Sequence, residues 1–202
     1  ASMEMPGNTS ALSIGSGLGR ENKDGEKYLC HLKENKKIPF VLDADIFYHN
    51  EIKSFLETEC SDERNCRAIL TPHPKEFSVL LENCSLGTFT TTQVVEQRYE
   101  LAKKFTRNYR GCVLILKGAT TTIAHWSAKE DRPCIYLNPH GTSSLAKAGS
   151  GDVLAGLCVA LLAQGYNAIN AAITATLAHS FASKKYDGSF ALTPEKLIEV
   201  IG

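Results

Sequence analysis

Ala148-Gly149-Ser150-Gly151-Asp152-Val153-Leu154-Ala155-Gly156 is the stretch whose reading decides the fold. Gly149 and Gly151 permit a tight turn whose N–H groups point one way. Behind them Val153, Leu154, Leu157, Val159, Leu161 and Leu162 predict a helix that is apolar nearly all round and therefore buried. A helix N-terminus offers unpaired N–H groups and the positive end of the helix dipole. A glycine turn that feeds it is an anion site, and phosphate is the anion expected. Asp152 stands at the rim of that site, where a carboxylate repels an anion. An acid in that place points to a base acting on a hydroxyl that attacks phosphorus. The alternative is a plain turn with Asp152 as the helix N-cap.

Outward from this turn, short β-rich runs alternate with helical ones. That alternation predicts α/β layers around a largely parallel sheet. Strands are expected at 11–14, 39–42, 68–70 and 112–116, with 120–126 and 134–137 as a further antiparallel pair. Helices are expected over 24–35, 46–57, a short segment through Val79–Leu81, and 92–106. Gly165 suits a helix C′ position and Asn167 caps the next helix, which runs to about Lys184. Thr193-Pro194 opens the last one.

Four polar, turn-rich motifs follow four of the strands: Gly15–Gly19, Asp43–Asp45, Pro72–Glu76 and Lys117-Gly118. Ligands of open α/β sheets bind at the carboxyl ends of strands, so the four share one rim. Gly15-Ser16-Gly17-Leu18-Gly19 has G-x-G-x-G spacing, not the dinucleotide fingerprint, and no G-x-x-x-x-G-K-[ST] run exists. The second absence excludes a P-loop NTPase. The glycines are better read as backbone that must approach a ligand closely. His73, held between Pro72 and Pro74, is rigidly presented, with no partners at metal-ligand spacing. Glu76 either reaches the same pocket or caps the following helix. Lys117 ends the most apolar strand, where its ammonium meets a nucleotide phosphate or simply reaches water. Thr121 and Thr122 add hydroxyls nearby.

The 202 residues suit one domain, and 43% hydrophobic with 22% charged residues is ordinary for a globular protein. A formal charge of zero argues against a nucleic-acid or membrane-surface footprint. No apolar run reaches the length of a membrane span, and the N-terminus does not read as a secretory leader. Seven cysteines without a CxxC pair read as reduced thiols of a cytoplasmic protein. A Cys60–Cys66 bridge fits the spacing and has no other support.

These motifs together resemble the ADP- or ATP-dependent NAD(P)H-hydrate dehydratases of the ribokinase-like superfamily. The matching elements are Ile14–Gly19, Val41–Asp45, Leu70–Phe77, Leu116–Thr121 and Ala148–Gly156, in family order over nearly the whole chain. Thr71-Pro72-His73-Pro74-Lys75-Glu76-Phe77 discriminates most, because general sugar kinases of the superfamily lack it. The resemblance implies a three-layer αβα fold. It implies phosphorylation of the ring hydroxyl of the S-epimer of hydrated NADH or NADPH, followed by loss of phosphate. On this reading Asp152 deprotonates the hydroxyl. Ala148, Gly149, Ser150 and Gly151 form the anion hole. Lys117, Gly118, Ala119, Thr120 and Thr121 meet the nucleotide. Gly17, Gly19, Asp43, His73, Pro74, Lys75, Glu76 and Phe77, with Asp152, meet the hydrated cofactor. ADP is expected over ATP, with Mg2+ carried on its phosphates and no metal ligand from the protein. A homo-oligomer such as a tetramer is implied, and an epimerase domain ahead of this one is compatible with the family.

Three departures stand out. Ile46 replaces the usual Gly after Asp-Ala-Asp, Ser150 stands where Thr is common, and Lys147 adds a positive charge just before the turn. The family also places further βα units ahead of the Gly15–Gly19 strand. Residues 1–202 are therefore expected to be incomplete for catalysis alone. Two rivals remain: a kinase of the same fold acting on a hydroxymethylpyrimidine or hydroxyethylthiazole alcohol, and a nucleotide-binding module without catalysis.

Overall fold

A computed structural model describes residues 6–20, 24–186 and 191–201. Six strands lie in sequence order in one mixed sheet: β1 (Leu12–Ile14), β2 (Phe40–Leu42), β3 (Ala68–Leu70), β4 (Cys112–Leu116), β5 (Thr121–Ser127) and β6 (Arg132–Asn138). β1 to β4 run parallel, with Ile14, Leu42, Leu70 and Leu114 in register. β5 and β6 are antiparallel, as the sequence predicts.

Strand alternation divides the core. Phe40, Leu42, Leu70, Leu114 and Leu116 face one layer, built by α1 (Asp24–Glu34), α2 (Ile52–Glu59), α3 (Pro74–Asn83), α4 (Thr91–Glu96) and α5 (Arg98–Asn108). Val41, Ile69, Val113, Ile115 and Ile123 face the other, built by α6 (Ser150–Ala163) and α7 (Ala168–Lys184). The αβα arrangement is thus present. α8 (Pro194–Ile201) packs Leu197 against Val153 and Ala182, outside the second layer.

Two helices differ from expectation. The segment expected as one helix over 92–106 is two, because Gln97 leaves helical geometry (φ −103°, ψ 18°). No Gly or Pro announces that break. The helix expected from Ile46 starts only at Ile52, after a 3-10 turn over Ala44–Tyr48 and an extended His49. Ala44 itself has a left-handed φ of 55°. α6 is also less enclosed than its composition predicts. Val153, Leu154, Ala155, Cys158 and Leu162 are buried, whereas Leu157, Val159 and Leu161 are only half-buried.

Local capping matches the sequence well. Gly165 adopts φ 90° directly after α6, and the Asn167 side chain accepts the Asn170 N–H at the start of α7. Asn167→Ala is expected to cost about 1 kcal/mol, read as a fall of about 2–4 °C in thermal denaturation. All seven cysteines are free thiols, so the Cys60–Cys66 bridge is not formed. Burial pushes Cys66 and Cys158 up to about 12, which makes them inert. Among the described residues no helix is long and apolar enough to cross a membrane.

Candidate active site

Backbone hydrogen bonds tie the strand-end motifs into one rim. Asp43 donates its N–H to Ile14, Thr71 to Leu42, and Lys117 to Pro72, each at 3.0 Å. The left-handed turn at Ala44 then sends its two neighbours in opposite directions. Asp43 points inward to Lys117, while Asp45 accepts the Gly19 N–H at 3.0 Å and pairs with Arg20.

The glycine turn sits on the same rim. Gly149, not Asp152, is the N-cap of α6, with a left-handed φ of 83°. Asp152 is therefore the third helical residue and is exposed. Val153 makes the first helical bond, to the Gly149 carbonyl. Among the described residues no protein acceptor takes the N–H of Gly151 or Asp152. Two amides at a helix N-terminus thus remain for an anion. A Cβ on Gly151 would lie 3.2 Å from Lys117 Nζ, so the ammonium stands directly against this turn.

Lys117 is held from two sides. Its Nζ lies 2.9 Å from Asp43 Oδ1 and 3.8 Å from Glu76 Oε2. Burial pushes the Asp43 carboxyl up, and the charge and hydrogen bond of Lys117 only partly offset this. Burial also acts to raise Glu76, but hydrogen bonds from His73 and the charge of Lys117 outweigh it and hold the group below its ordinary range. Glu76 therefore contributes stability that is present above the ordinary value of 4.5 and lost as pH falls through the lowered one. The melting-temperature gap between the parent and Glu76→Gln is expected to stay constant at neutral pH and shrink below that value. A gap that is unchanged in acid would contradict this.

His73 has a structural task beside its place at the cavity edge. Its Nδ1 accepts the N–H groups of Lys75 and Glu76, both at 3.2 Å, which makes the imidazole the N-cap of α3. Its Nε2 lies 3.1 Å from Glu76 Oε1, and Glu76 Oε2 accepts the His73 N–H at 2.8 Å. The bonds to Nδ1 require it bare and place the proton on Nε2. Both ring nitrogens are thus used within the helix start. Glu76 performs both functions considered for it: it closes the capping box and faces Lys117.

A cavity of about 640 Å3 opens beside the turn, within the range that houses small ligands. Lys117, Gly118 and Ala119 line it from the end of β4, Thr121 from the start of β5, and Ser150 and Gly151 from the start of α6. His73 and Pro74 reach its edge. Several other expected site residues lie elsewhere. Thr120, Ala148, Gly149 and Asp152 are outside the lining, as are Gly17, Gly19 and the exposed Lys75. Asp43 is 1% exposed, and Phe77 is fully buried against Phe105.

One wall of the cavity was not found in the sequence. Thr176, His179 and Ser180 line it from α7, and Thr142 and Ser143 from the loop after β6. Lys147 lines it too, and its ammonium donates to the Leu192 carbonyl at 3.2 Å. His179 Nε2 lies 2.9 Å from the Ser150 carbonyl and 3.3 Å from its hydroxyl. A carbonyl only accepts, so Nε2 carries the proton. Burial holds this imidazole below its ordinary range, partly countered by the Ser150 bond. The detectable signal was Thr176, His179, Ser180 and Ser183, at i, i+3, i+4 and i+7 in an alanine-rich helix, all four buried. Among the described residues no group of three or more His, Cys, Asp or Glu is placed to hold a metal ion.

A three-layer αβα body with a glycine turn at a helix N-terminus, on the carboxyl edge of its sheet, defines a ribokinase-like protein. The chain belongs to the NAD(P)H-hydrate dehydratase family, whose model matches residues 2–201. It is 42% identical over 197 residues to the bifunctional NAD(P)H-hydrate repair enzyme Nnr of Helicobacter pylori, covering 98% of this chain and 38% of that protein. It is 36% identical over 174 residues to the ADP-dependent (S)-NAD(P)H-hydrate dehydratase of Neisseria meningitidis, covering 86% of this chain and 54% of that one. In fold it is similar to the ADP/ATP-dependent NAD(P)H-hydrate dehydratase of Bacillus subtilis co-crystallized with ATP/Mg2+. That match has a TM-score of 0.73 and 24% identity, over 95% of this chain and 62% of the other. The chain thus spans between 38% and 62% of the length of these relatives.

Proposed function

We propose that this chain carries the nucleotide-dependent dehydratase centre for the S-epimer of hydrated NADH and NADPH. The observation that carries the reading is the cavity wall on which Lys117 Nζ and the free amide of Gly151, at the start of α6, converge. Phosphate needs such a convergence of a cation and a helix N-terminus. Names of relatives support hydrated NAD(P)H as substrate and ADP as phosphoryl donor. The rest of the cavity, with Thr121, Thr176, His179 and Ser180, suits the nucleoside end of ADP or ATP. An Mg2+ ion carried on the nucleotide phosphates and held by phosphate and water belongs to the same reading.

In this reading Asp152 takes the proton of the ring hydroxyl. The hydroxyl oxygen then attacks the terminal phosphorus, and the bond to the leaving nucleotide oxygen breaks. The amides of Gly151 and Asp152 and the ammonium of Lys117 stabilise charge on the transferring group. Phosphate next leaves the ring carbon as the neighbouring C–H loses its proton, and the double bond returns. Gly17, Gly19 and residues 73–76 are assigned to the hydrated cofactor because they share the rim with Asp152. Phe77 serves them only by packing beneath α3.

We further assign the open face around Asp152 and the half-buried Leu157, Val159 and Leu161 to cover by βα units beyond residues 1–202. Turnover is assayed in the protein as it exists. A homo-oligomer and a cytoplasmic location belong to the same proposal. The deciding experiment follows the return of reduced-nicotinamide absorbance from hydrated NADH, with ADP and ATP compared. Hydroxymethylpyrimidine and hydroxyethylthiazole serve as rival acceptors. Phosphorylation of either alcohol without repair of the hydrate would sink the proposal.

A further inference from the structure

Lys117 is the cation aimed at the anion turn, yet it is already engaged. Its Nζ lies 2.9 Å from Asp43, a carboxylate that is 1% exposed and outside the cavity lining. Glu76 stands on its other side at 3.8 Å. Asp43 thus lies behind Lys117, away from the cavity surface. Its side chain touches Lys117. The ammonium lies within reach of the turn and inside an ion pair at once.

We infer that Asp43 is a positioning residue that limits nucleotide affinity by holding the Lys117 ammonium in a buried ion pair, so that an arriving phosphate must share the charge. This rests on the reading that a nucleotide phosphate occupies the turn. A lysine paired at close range with a carboxylate presents a partly neutralised charge to a third group. Replacing that carboxylate by an amide keeps the size and releases the charge, while Glu76 still restrains the ammonium. Asp43 acts only through the lysine. Burial disfavours the charged form of Asp43 and the ammonium partly offsets it, so without Lys117 there is no paired cation through which Asp43 can act.

The arrangement has a use in turnover. A cation that binds ground-state phosphate at full strength slows release of the spent nucleotide. One that is shared until charge develops in transfer favours the transition state over both ends of the reaction.

The test is binding, which is independent of turnover. Titration calorimetry compares ADP with adenosine on the parent chain, Asp43→Asn, Lys117→Met and the double variant. Asp43→Asn is expected to bind ADP about tenfold more tightly and adenosine within twofold of the parent. In the Lys117→Met background the Asp43→Asn effect on ADP is expected to vanish. A parallel change in ADP and adenosine would mean a merely structural role and overturn the inference. So would unchanged or weaker ADP binding by Asp43→Asn. A gain that persists without Lys117 would assign Asp43 to direct repulsion and overturn it as well. Failure of the parent to bind ADP at all would instead remove the nucleotide reading, and this inference with it.

Discussion

Asp152→Asn is expected to lower turnover by about 10²–10⁴-fold, the range a positioned general base supplies. The structure makes this substitution unusually clean. Asp152 is exposed, lies one turn inside α6 and is not the helix N-cap, so it has no local structural partner to lose. Its removal costs only the favourable interaction of a carboxylate with the helix N-terminus, at most about 1 kcal/mol. Folding and turnover therefore separate. The melting temperature should move by no more than a few degrees while the repair rate collapses. ADP affinity should hold or rise, because a negative charge leaves the rim of an anion site. The KM for the hydrated cofactor should stay near that of the parent, since the carboxylate acts on the proton and not as an anchor. Turnover within tenfold of the parent would end the assignment of Asp152 as base. A matched loss of ADP binding would make it part of the nucleotide site instead.

How legible this site was depended on sequence distance. The four strand-end motifs were readable because each carries its own local signature, and a parallel sheet necessarily brings strand ends together. The bonds from Asp43 to Ile14, Thr71 to Leu42 and Lys117 to Pro72 are the physical form of that rule. The turn before α6 was readable for the same reason. What each side chain does once there was less so. His73 reaches the cavity edge, but the sequence did not show that its Nδ1 also caps α3 while Nε2 faces Glu76. Asp43 looked like a substrate contact and lies buried behind Lys117. The Asp43–Lys117 pairing spans 74 residues, and no local pattern encodes it, whereas the His73 cap is local and is closed by Glu76 three residues on. His179 was missed because it reaches the turn from a helix that begins after it, 29 residues beyond Ser150. Only the polar stripe of α7 hinted at it. The α4–α5 break left no trace in residue type at all.

Gly15→Ala is expected to destabilise the chain by about 3–5 kcal/mol, the largest loss from any single added methyl on the described rim. The sequence reading explained the first glycine loop as backbone that a ligand approaches. The structure gives Gly15 another neighbour. A Cβ there would lie 1.7 Å from the Asp43 carbonyl oxygen and 3.2 Å from Ile46 Cβ. The φ of 124° adds strain for any L side chain. Neither obstacle is a flexible side-chain end. The carbonyl belongs to the backbone of β2's exit, which is locked to β1 by the Asp43 N–H on Ile14 at 3.0 Å. Relief requires the two strand ends to part. Gly17 is the internal control. Its φ is 69°, and nothing stands within 4 Å of a Cβ there. Gly17→Ala should therefore cost only the left-handed backbone, about 1–2 kcal/mol. Thermal denaturation should show a fall of about 10 °C for Gly15→Ala and a few degrees for Gly17→Ala. Equal falls would mean that the close contact with Asp43 does not control the site. The same contact predicts a second consequence. Asp43's backbone receives the clash and its carboxylate holds Lys117, so whatever fraction of Gly15→Ala stays folded should bind ADP with altered affinity. Gly17→Ala, which leaves Asp43 untouched, should bind ADP as the parent does.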